Sequence, residues 1–484
     1  MVGLRWAMRL IGVISTVILA RLLTPKDFGI VAVAMIVVGL FEMLTLTGQA
    51  VALVRHEAPT REHYNSAWTI SFILGIAVAL CILIAAPFTK AYFHQPAAVA
   101  VMQCLALRAF LGGLENIGTV DFSRNLRFDK FFIFNVLTKI LQFCVTVVLA
   151  FVLRNYWALV AGILMGQISR TVLSYVMSPF RPRLSLACAR EIWSFSIWTF
   201  VRTVGGYLQT QVDNIAIGGI VGAPVMGRYT VAKDIAASPT QEIINPMVAA
   251  LLPVMSKCRG NPAELHKLYL RMLGWSAIIC ASTGVGVTMV ASDMVRVVLG
   301  PKWIDATPLI AWLALNASMA ALLSGTATLL DVLGMPYIGA RILWSRLVVF
   351  TILVFAAAYM THDVMVVVQT RLAVTVVFIP SIIFAVRRVT GVPARDYYRA
   401  MWRPFVAAGI MALTIWALNM MLPFQGAPRL LLDVLAGAAS YVAALLGLWD
   451  LSGRPQSAEQ DILTLVGKVQ TKIARVAVLP EAAD

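Results

Sequence analysis

The chain has 484 residues, of which 60% are hydrophobic and 13% charged, with a mean hydropathy of +0.84. No soluble fold of this length hides so much apolar surface, so the soluble classes are excluded. The formal charge of +16 and pI near 9.9 would suit nucleic acid in another setting. In so apolar a chain it is read against a membrane surface, and nucleic acid is excluded as a partner.

Apolar runs of roughly 18 to 25 residues, each about the length that crosses a hydrocarbon core, follow one another almost without interruption. The first six are predicted at 10–20 (with a ragged start), 28–47, 67–87, 97–118, 131–153 and 156–177. A second six follow at 192–220, 229–251, 268–291, 308–333, 342–360 and 364–386, with an appended pair at 405–422 and 430–449. The expectation is an all-α polytopic membrane protein of about fourteen spans. Residues 1–190 form an N-terminal six-helix lobe with an inter-lobe loop, 191–388 a second lobe, 389–450 a helix pair and 451–484 a cytoplasmic amphipathic tail. In that tail Ile462, Leu465, Val466, Val469 and Ile473 share one helical face.

Charge sets the topology. With both termini cytoplasmic, the inner loops hold Arg55 and Arg61; Arg124, Arg127 and Lys130; Arg181, Arg183 and Arg190; Lys257, Arg259 and Lys267; and Arg387, Arg388, Arg395, Arg399 and Arg403. The outer loops hold far fewer cations, among them Arg21, Lys26, Lys90, Arg154, Lys302 and Arg429. This is the positive-inside pattern. The start resembles a signal peptide only superficially, since Ile18-Leu19-Ala20 lacks the small residue a cleavage site needs, and the segment is read as a retained span. Six cysteines form no CxxC and imply no disulfide framework.

The turn into span two aligns with the turn into span eight, with Gly29, Val33 and Ala34 falling on Gly227, Val231 and Ala232. Repeated lobes of this kind are a plan of secondary transporters.

Charged residues inside the spans carry the chemistry, because each costs about 2.5 to 3.5 kcal/mol at a span centre and must turn away from lipid. They fall at helical spacing. Arg202, Gly206, Gln209 and Asp213 share a face of span seven; Asn135, Lys139, Gln142 and Thr146 a face of span five; and Asp234, Ser238, Gln241 and Asn245 a face of span eight. Glu42, Thr45 and Gln49 make a shorter stripe in span two, Arg108 lies in span four, and Arg170 shares a face of span six with Gln167 and Ser174.

Two readings compete. These residues pair between helices, as Arg202 with Asp213 or Lys139 with Glu42, or they line an aqueous cavity. Cations outnumber acids at the same depth, which favours a cavity for an anionic ligand, with phosphate the natural candidate. Arg202, Lys139, Arg108 and Arg170 are the candidate ligand-binding residues, with Lys139, Arg170 and Arg202 in the cytoplasmic half. Asp213, Asp234, Glu42 and Asp331 are candidates for charge pairing or ion coupling. Pro239 and Pro246, seven residues apart in span eight, are read as a candidate hinge. Gly162 and Gly166 are read as a helix contact, and the basic runs 121–130 and 387–403 as segments held by anionic lipid or docking glycosyltransferases.

Enzyme chemistry finds no foothold. The sequence has no GxxxxGK[ST] loop, no HExxH and no metal-spaced Cys/His cluster. The longest outer loop, about 16 residues, is short for a polysaccharide polymerase or ligase. No cofactor is expected.

Several segments together point to a family. Residues 20–29 (ARLLTPKDFG), 121–128 (DFSRNLRF), 155–160 (NYWALV), Ser174-Tyr175 with Arg181-Pro182-Arg183, 194–198 (SFSIW), 226–234 (MGRYTVAKD) and 299–303 (LGPKW) occur in order over most of 1–400. They resemble the polysaccharide transporter (Wzx-like) branch of the multidrug/oligosaccharidyl-lipid/polysaccharide flippase superfamily. The resemblance implies a V-shaped pair of six-helix lobes and alternating access. It also implies transport of undecaprenyl-pyrophosphate-linked oligosaccharide across a bacterial inner membrane for lipopolysaccharide or exopolysaccharide synthesis. Polysaccharide polymerase and glycosyltransferases become expected partners. Arg202 and Lys139 would then bind the pyrophosphate, with Arg108 and Arg170 assisting. The N-terminus departs from the pattern, little preceding Gly3 and Trp6, which predicts a missing leader or misplaced start. A cation-coupled drug or small-solute antiporter of the same superfamily is the alternative, for which acids should dominate the cavity.

Overall fold

The computed structural model describes residues 2–45, 49, 53, 54, 56, 58–193, 197–422, 425–455 and 457–461. For 2–7, 10, 44, 192, 193 and 197–203 it describes the backbone alone. Regular structure among the described residues is entirely helical. The long helices are α1 (Val2–Leu22), α2 (Pro25–Glu42), α3 (Arg61–Phe93), α4 (Pro96–Gly113), α5 (Phe128–Leu153), α6 (Trp157–Met177) and α7 (Ile197–Ala216). They continue as α8 (Ala223–Lys257), α9 (Pro262–Met294), α10 (Thr307–Leu322, followed by the short helix Gly325–Val332), α11 (Pro336–Thr361), α12 (Val364–Thr390), α13 (Ala394–Met421) and α14 (Ala427–Leu451).

Ten helical stretches among the described residues are long and apolar enough to cross a membrane, and the protein is a multi-pass membrane protein. Ten of the fourteen expected spans meet this measure among the described residues. The expected runs outside the ten lie on α1, α2, α7 and α8. α2 holds Lys26, Asp27 and Glu42 within 18 residues. α8 carries Arg228, Lys233, Asp234 and Glu242 in its body. On α2 and α8 these charged residues lower the apolar signal of the helices that bear them. α2 ends at Glu42, and Thr45 lies on a 3₁₀ turn, Met43–Thr45.

The chain packs as two units, Met1–Val231 with Val298–Asp305 and Leu347–Val367, and Ala232–Val297 with Ala306–Arg346 and Val368–Asp484. The two units interleave along the chain.

In the first unit Ile30, Ala34 and Val38 of α2 pack with Val78, Ile82 and Ala86 of α3 and Val101, Leu105 and Ala109 of α4. Within a membrane such contacts depend on close fit rather than on leaving water. Small residues provide the fit, since a Cβ on Gly75 would lie 2.8 Å from Gly113 Cα. Gly162 packs against Thr146 and Gly166 against Gln142, so the pair is a helix contact between α5 and α6.

At one end of this unit the motif residues acquire physical reasons. Thr24 caps α2, and Asp27 accepts from the Thr24 backbone N–H at 2.9 Å, a reciprocal capping box with Pro25 at the first helical position. The other oxygen of Asp27 accepts from the Tyr156 N–H at 3.1 Å. Phe28 meets Trp303 edge to face with centroids 5.4 Å apart, and the Trp303 indole donates to the Ala20 carbonyl at 2.9 Å. Arg228 pairs with Asp305 at 2.7 Å. The aligned glycines face each other. A Cβ on Gly29 would overlap the Ala223 carbonyl, and one on Gly227 the Pro25 carbonyl. The two turns that match in sequence therefore cross backbone to backbone.

In the second unit Tyr269, Met272 and Leu273 of α9 pack with Leu322, Ile383, Val386, Tyr397 and Met401. A second cluster joins Ile278 and Ala281 to Ala407, Met411 and Ile415 of α13 and to Tyr441 and Leu445 of α14. α8 runs through Pro239, Pro246 and Pro253 as one assigned helix.

Candidate functional site

A cavity of about 380 Å³ opens inside the first unit. α5 supplies Asn135, Thr138, Lys139 and Gln142; α6 supplies Ile163, Gly166, Gln167 and Arg170; α4 supplies Arg108; α1 and α2 add Met8 and Met35. The spacing on α5 explains its share, because positions 135, 139 and 142 recur about once per turn and face one direction. Thr146, one turn further, is buried where Gly162 crosses. Ser174 lies off the cavity and accepts the Asn116 N–H at 2.9 Å.

Three of the four cations named from sequence thus share one cavity, and two of them are held by carboxylates. Glu42 lies 3.2 Å from Arg108, and Glu115 lies 2.8 Å from Arg170 Nε. The Arg170 guanidinium also sits 5.1 Å from the centre of the Phe134 ring. Glu42 therefore pairs with Arg108 and not with Lys139. Lys139 has no ion-pair or hydrogen-bond partner among the described residues. Among the described residues, three cations against two carboxylates leave one positive charge in excess.

A second, largely apolar cavity of about 270 Å³ adjoins the first along the same helices. Leu19, Phe28, Val31, Phe143 and Leu159 help form its walls, and Met35, Lys139, Gln142 and Ile163 line both. Lys139 and Gln142 accordingly stand where a polar chamber meets an apolar one.

The other named residues lie elsewhere. The Arg202 side chain lies outside the described residues. Asp213 is fully buried and accepts from the Tyr229 hydroxyl of α8 and from the Asn214 N–H, away from the cavity. On α8, in the second unit, Asp234, Gln241 and Asn245 form an exposed stripe opposite buried Ala236, Thr240 and Ile244. Asp331 is exposed at the end of Gly325–Val332. Pro239 and Pro246 lie within α8.

Two polar features went unnoticed in the sequence. Glu115 lies seven residues after Arg108, a spacing that places both on one face, but it stands just past the end of α4. In the second unit Arg346 donates to Thr375 at 3.0 Å, and Thr375 lies 2.8 Å from Asn316 Oδ1. Arg371 lies one turn before Thr375 on α12, so helical spacing of polar residues was the signal that could have found this group.

His56, His63 and Glu191 bring potential metal ligands within 4.8 Å of one another. Nδ1 of each ring accepts a backbone N–H, from Ala58 and Thr60, so the proton of the neutral ring sits on Nε2. His63 Nε2 then donates to Glu191 at 3.0 Å. The group is satisfied by hydrogen bonds and is not arranged to hold a metal.

Known proteins resemble the chain over nearly its whole length. The family model described as "Polysaccharide biosynthesis protein" matches residues 18–308. The succinoglycan biosynthesis transport protein ExoT of Rhizobium meliloti (strain 1021) is 24% identical over 438 residues, covering 88% of this chain and 86% of ExoT. The lipopolysaccharide biosynthesis protein WzxC of Escherichia coli (strain K12) is 22% identical over 424 residues, covering 86% and 85%. Among solved structures, lipid II flippase MurJ in an inward closed conformation superposes with a TM-score of 0.73 at 11% identity, covering 92% of this chain and 98% of its own. An inward-facing multidrug resistance MATE transporter of the MOP superfamily gives 0.59 at 14% identity, covering 81% and 98%. The fold is that of the MOP superfamily.

Proposed function

The chain belongs to the polysaccharide biosynthesis protein family, and on that premise we propose that it flips undecaprenyl-pyrophosphate-linked oligosaccharide across a bacterial inner membrane by alternating access. The cavity of the first unit receives the pyrophosphate. The observation that carries this reading is the convergence of Arg108, Lys139 and Arg170 on one space with one positive charge in excess.

Lys139 is the first contact in this reading. An ammonium within a span costs about 2.5 to 3.5 kcal/mol, and an incoming phosphate oxygen offsets that cost. Arg108 and Arg170 are held by Glu42 and Glu115 while the site is empty. A pyrophosphate, with more oxygens than one carboxylate, then competes for their guanidinium forks. Arg202 is retained on its spacing in α7. Asp213 and Asp234 remain candidates for ion coupling, and Pro239 with Pro246 for a hinge in α8. Cytoplasmic termini follow from the loop charges, and two six-helix lobes with an appended pair follow from the repeat. Polymerase and glycosyltransferases are the proposed partners. The antiporter reading is less well supported, since a cationic drug would need carboxylates in excess.

Replacing Lys139 and Arg108 together by glutamine tests the assignment in cells lacking the native gene. Surface polysaccharide is expected to be lost while membrane abundance, followed by immunoblot, is unchanged. Normal export by the double variant overturns it.

A further inference from the structure

We propose that a cavity in the second unit is a second anion site, for the phosphate of an anionic phospholipid, on whose cations residues 457–461 now place two carboxylates of the chain's own. The cavity, about 470 Å³, lies between the first halves of α9 and α13 and the segment that follows α14. It is separate from the cavity assigned to transport, and the inference does not rest on that assignment.

Each helix presents two cations one turn apart, Lys267 and Arg271 on α9 and Arg399 and Arg403 on α13. With the segment in place they face three carboxylates, those of Asp396, Glu459 and Asp461. Without it they face Asp396 alone.

The segment is seated by shape as well as charge. Ala458 is 2% exposed and lies where a Cβ on Gly274 would come within 3.0 Å of its own Cβ. Asp461 accepts both Nε and Nη2 of Arg271, and the Trp275 indole reaches it at 3.4 Å. That two-pronged fork is the geometry with which a guanidinium also takes two phosphate oxygens.

The match at the other acid is incomplete. Glu459 comes within 3.3 Å of Arg403 Nε. Yet Arg403 is 4% exposed, and its Nε and Nη1 make no hydrogen bond, nor does Glu459 Oε1. A buried guanidinium with two donors unused is costly. A phosphate group, with its several acceptor oxygens, satisfies both donors where the carboxylate does not.

Depth points to a lipid as the source. On the same stretch of α13, Tyr398 and Trp402 are 55% and 44% exposed, and such amphipathic rings mark the headgroup level of a bilayer.

The test uses the full-length protein purified in a neutral detergent, with its thermal midpoint followed during titration with phosphatidylglycerol, phosphatidylcholine or inorganic phosphate. Phosphatidylglycerol is expected to raise the midpoint and phosphatidylcholine to leave it unchanged. The E459Q/D461N variant should bind phosphatidylglycerol about tenfold more tightly. K267Q/R399Q, which changes two exposed positions, should bind it about tenfold more weakly and keep the lipid-free midpoint. Equal responses to both lipids, or an affinity for phosphatidylglycerol that the acid substitutions leave unchanged, overturn the proposal. An equal response to inorganic phosphate overturns the lipid as the source.

Discussion

The cationic cavity of the first unit and the strap-lined cavity of the second solve one problem in different ways. Each gathers guanidinium groups from neighbouring helices, and each neutralises most of them with carboxylates. In the first unit Glu42 ends α2 and Glu115 stands two residues past α4, so the counter-charges are fixed to the helical framework. In the second, Glu459 and Asp461 come from a short segment beyond α14. Fixed carboxylates must be outcompeted where they stand, whereas carboxylates on a strap can leave together. The first arrangement suits a ligand that is held and released repeatedly, the second a ligand that stays.

The comparison is most sharply broken at Glu115. In the E115Q variant the cavity gains a net positive charge and Arg170 loses its partner. Calorimetry on purified protein should then show inorganic pyrophosphate bound about tenfold more tightly. The ligand-free midpoint should fall slightly and be restored by pyrophosphate, because a cation inside a span is costly without its partner. An unchanged affinity would mean that Glu115 does not compete for the site.

A smaller effect distinguishes the packing of the units. Gly227→Val drives a side chain into the Pro25 carbonyl and should lower stability by about 3 kcal/mol or more, read as a lower midpoint and less protein in the membrane. Gly409→Val on α13, where an added Cβ meets nothing within 4 Å, should cost little. Similar midpoints for the two variants would refute the backbone crossing.

The smallest effect is that of acid on the strap. The hydrogen bond from Arg271, aided by its charge, holds the Asp461 carboxyl below the usual range. Its contribution is therefore complete above the ordinary carboxyl value of about 3.9 and is lost as pH falls through the lower folded value. Being partly exposed, the pair is worth about 1 kcal/mol at most. Proteolysis after residue 451 should accelerate below pH 4 in the parent protein and be insensitive to pH there in D461N.

The lining of the first cavity was legible because a helix wall facing water must repeat its polar residues every turn, and Asn135, Lys139 and Gln142 do. Arg108 and Arg170 were legible as charges no lipid would accept. Their carboxylate partners were not, since pairing joins residues such as Arg170 and Glu115 that no period relates. Asp213 is a second case of the same limit. Its stripe marked it as a charge turned from lipid, but its burial against Tyr229 at the start of the next helix joins residues that no period relates. Fold class and family were readable from hydropathy and motifs, and the motif residues proved to be caps and crossings. The tail was read as a surface helix from apolar residues after 461, which lie outside the described residues. The described part just before them is held by Glu459 and Asp461, whose role spacing does not reveal.

The crossing of Gly29 and Gly227 also sets an order of assembly. α2 is synthesised long before α8 begins, so its glycine face waits through five intervening long helices for the backbone it meets. The first unit is still incomplete then, because it also takes Val298–Asp305, bearing Trp303, and Leu347–Val367. Any chain that stops short of residue 367 therefore lacks part of the unit in which its ligand cavity lies.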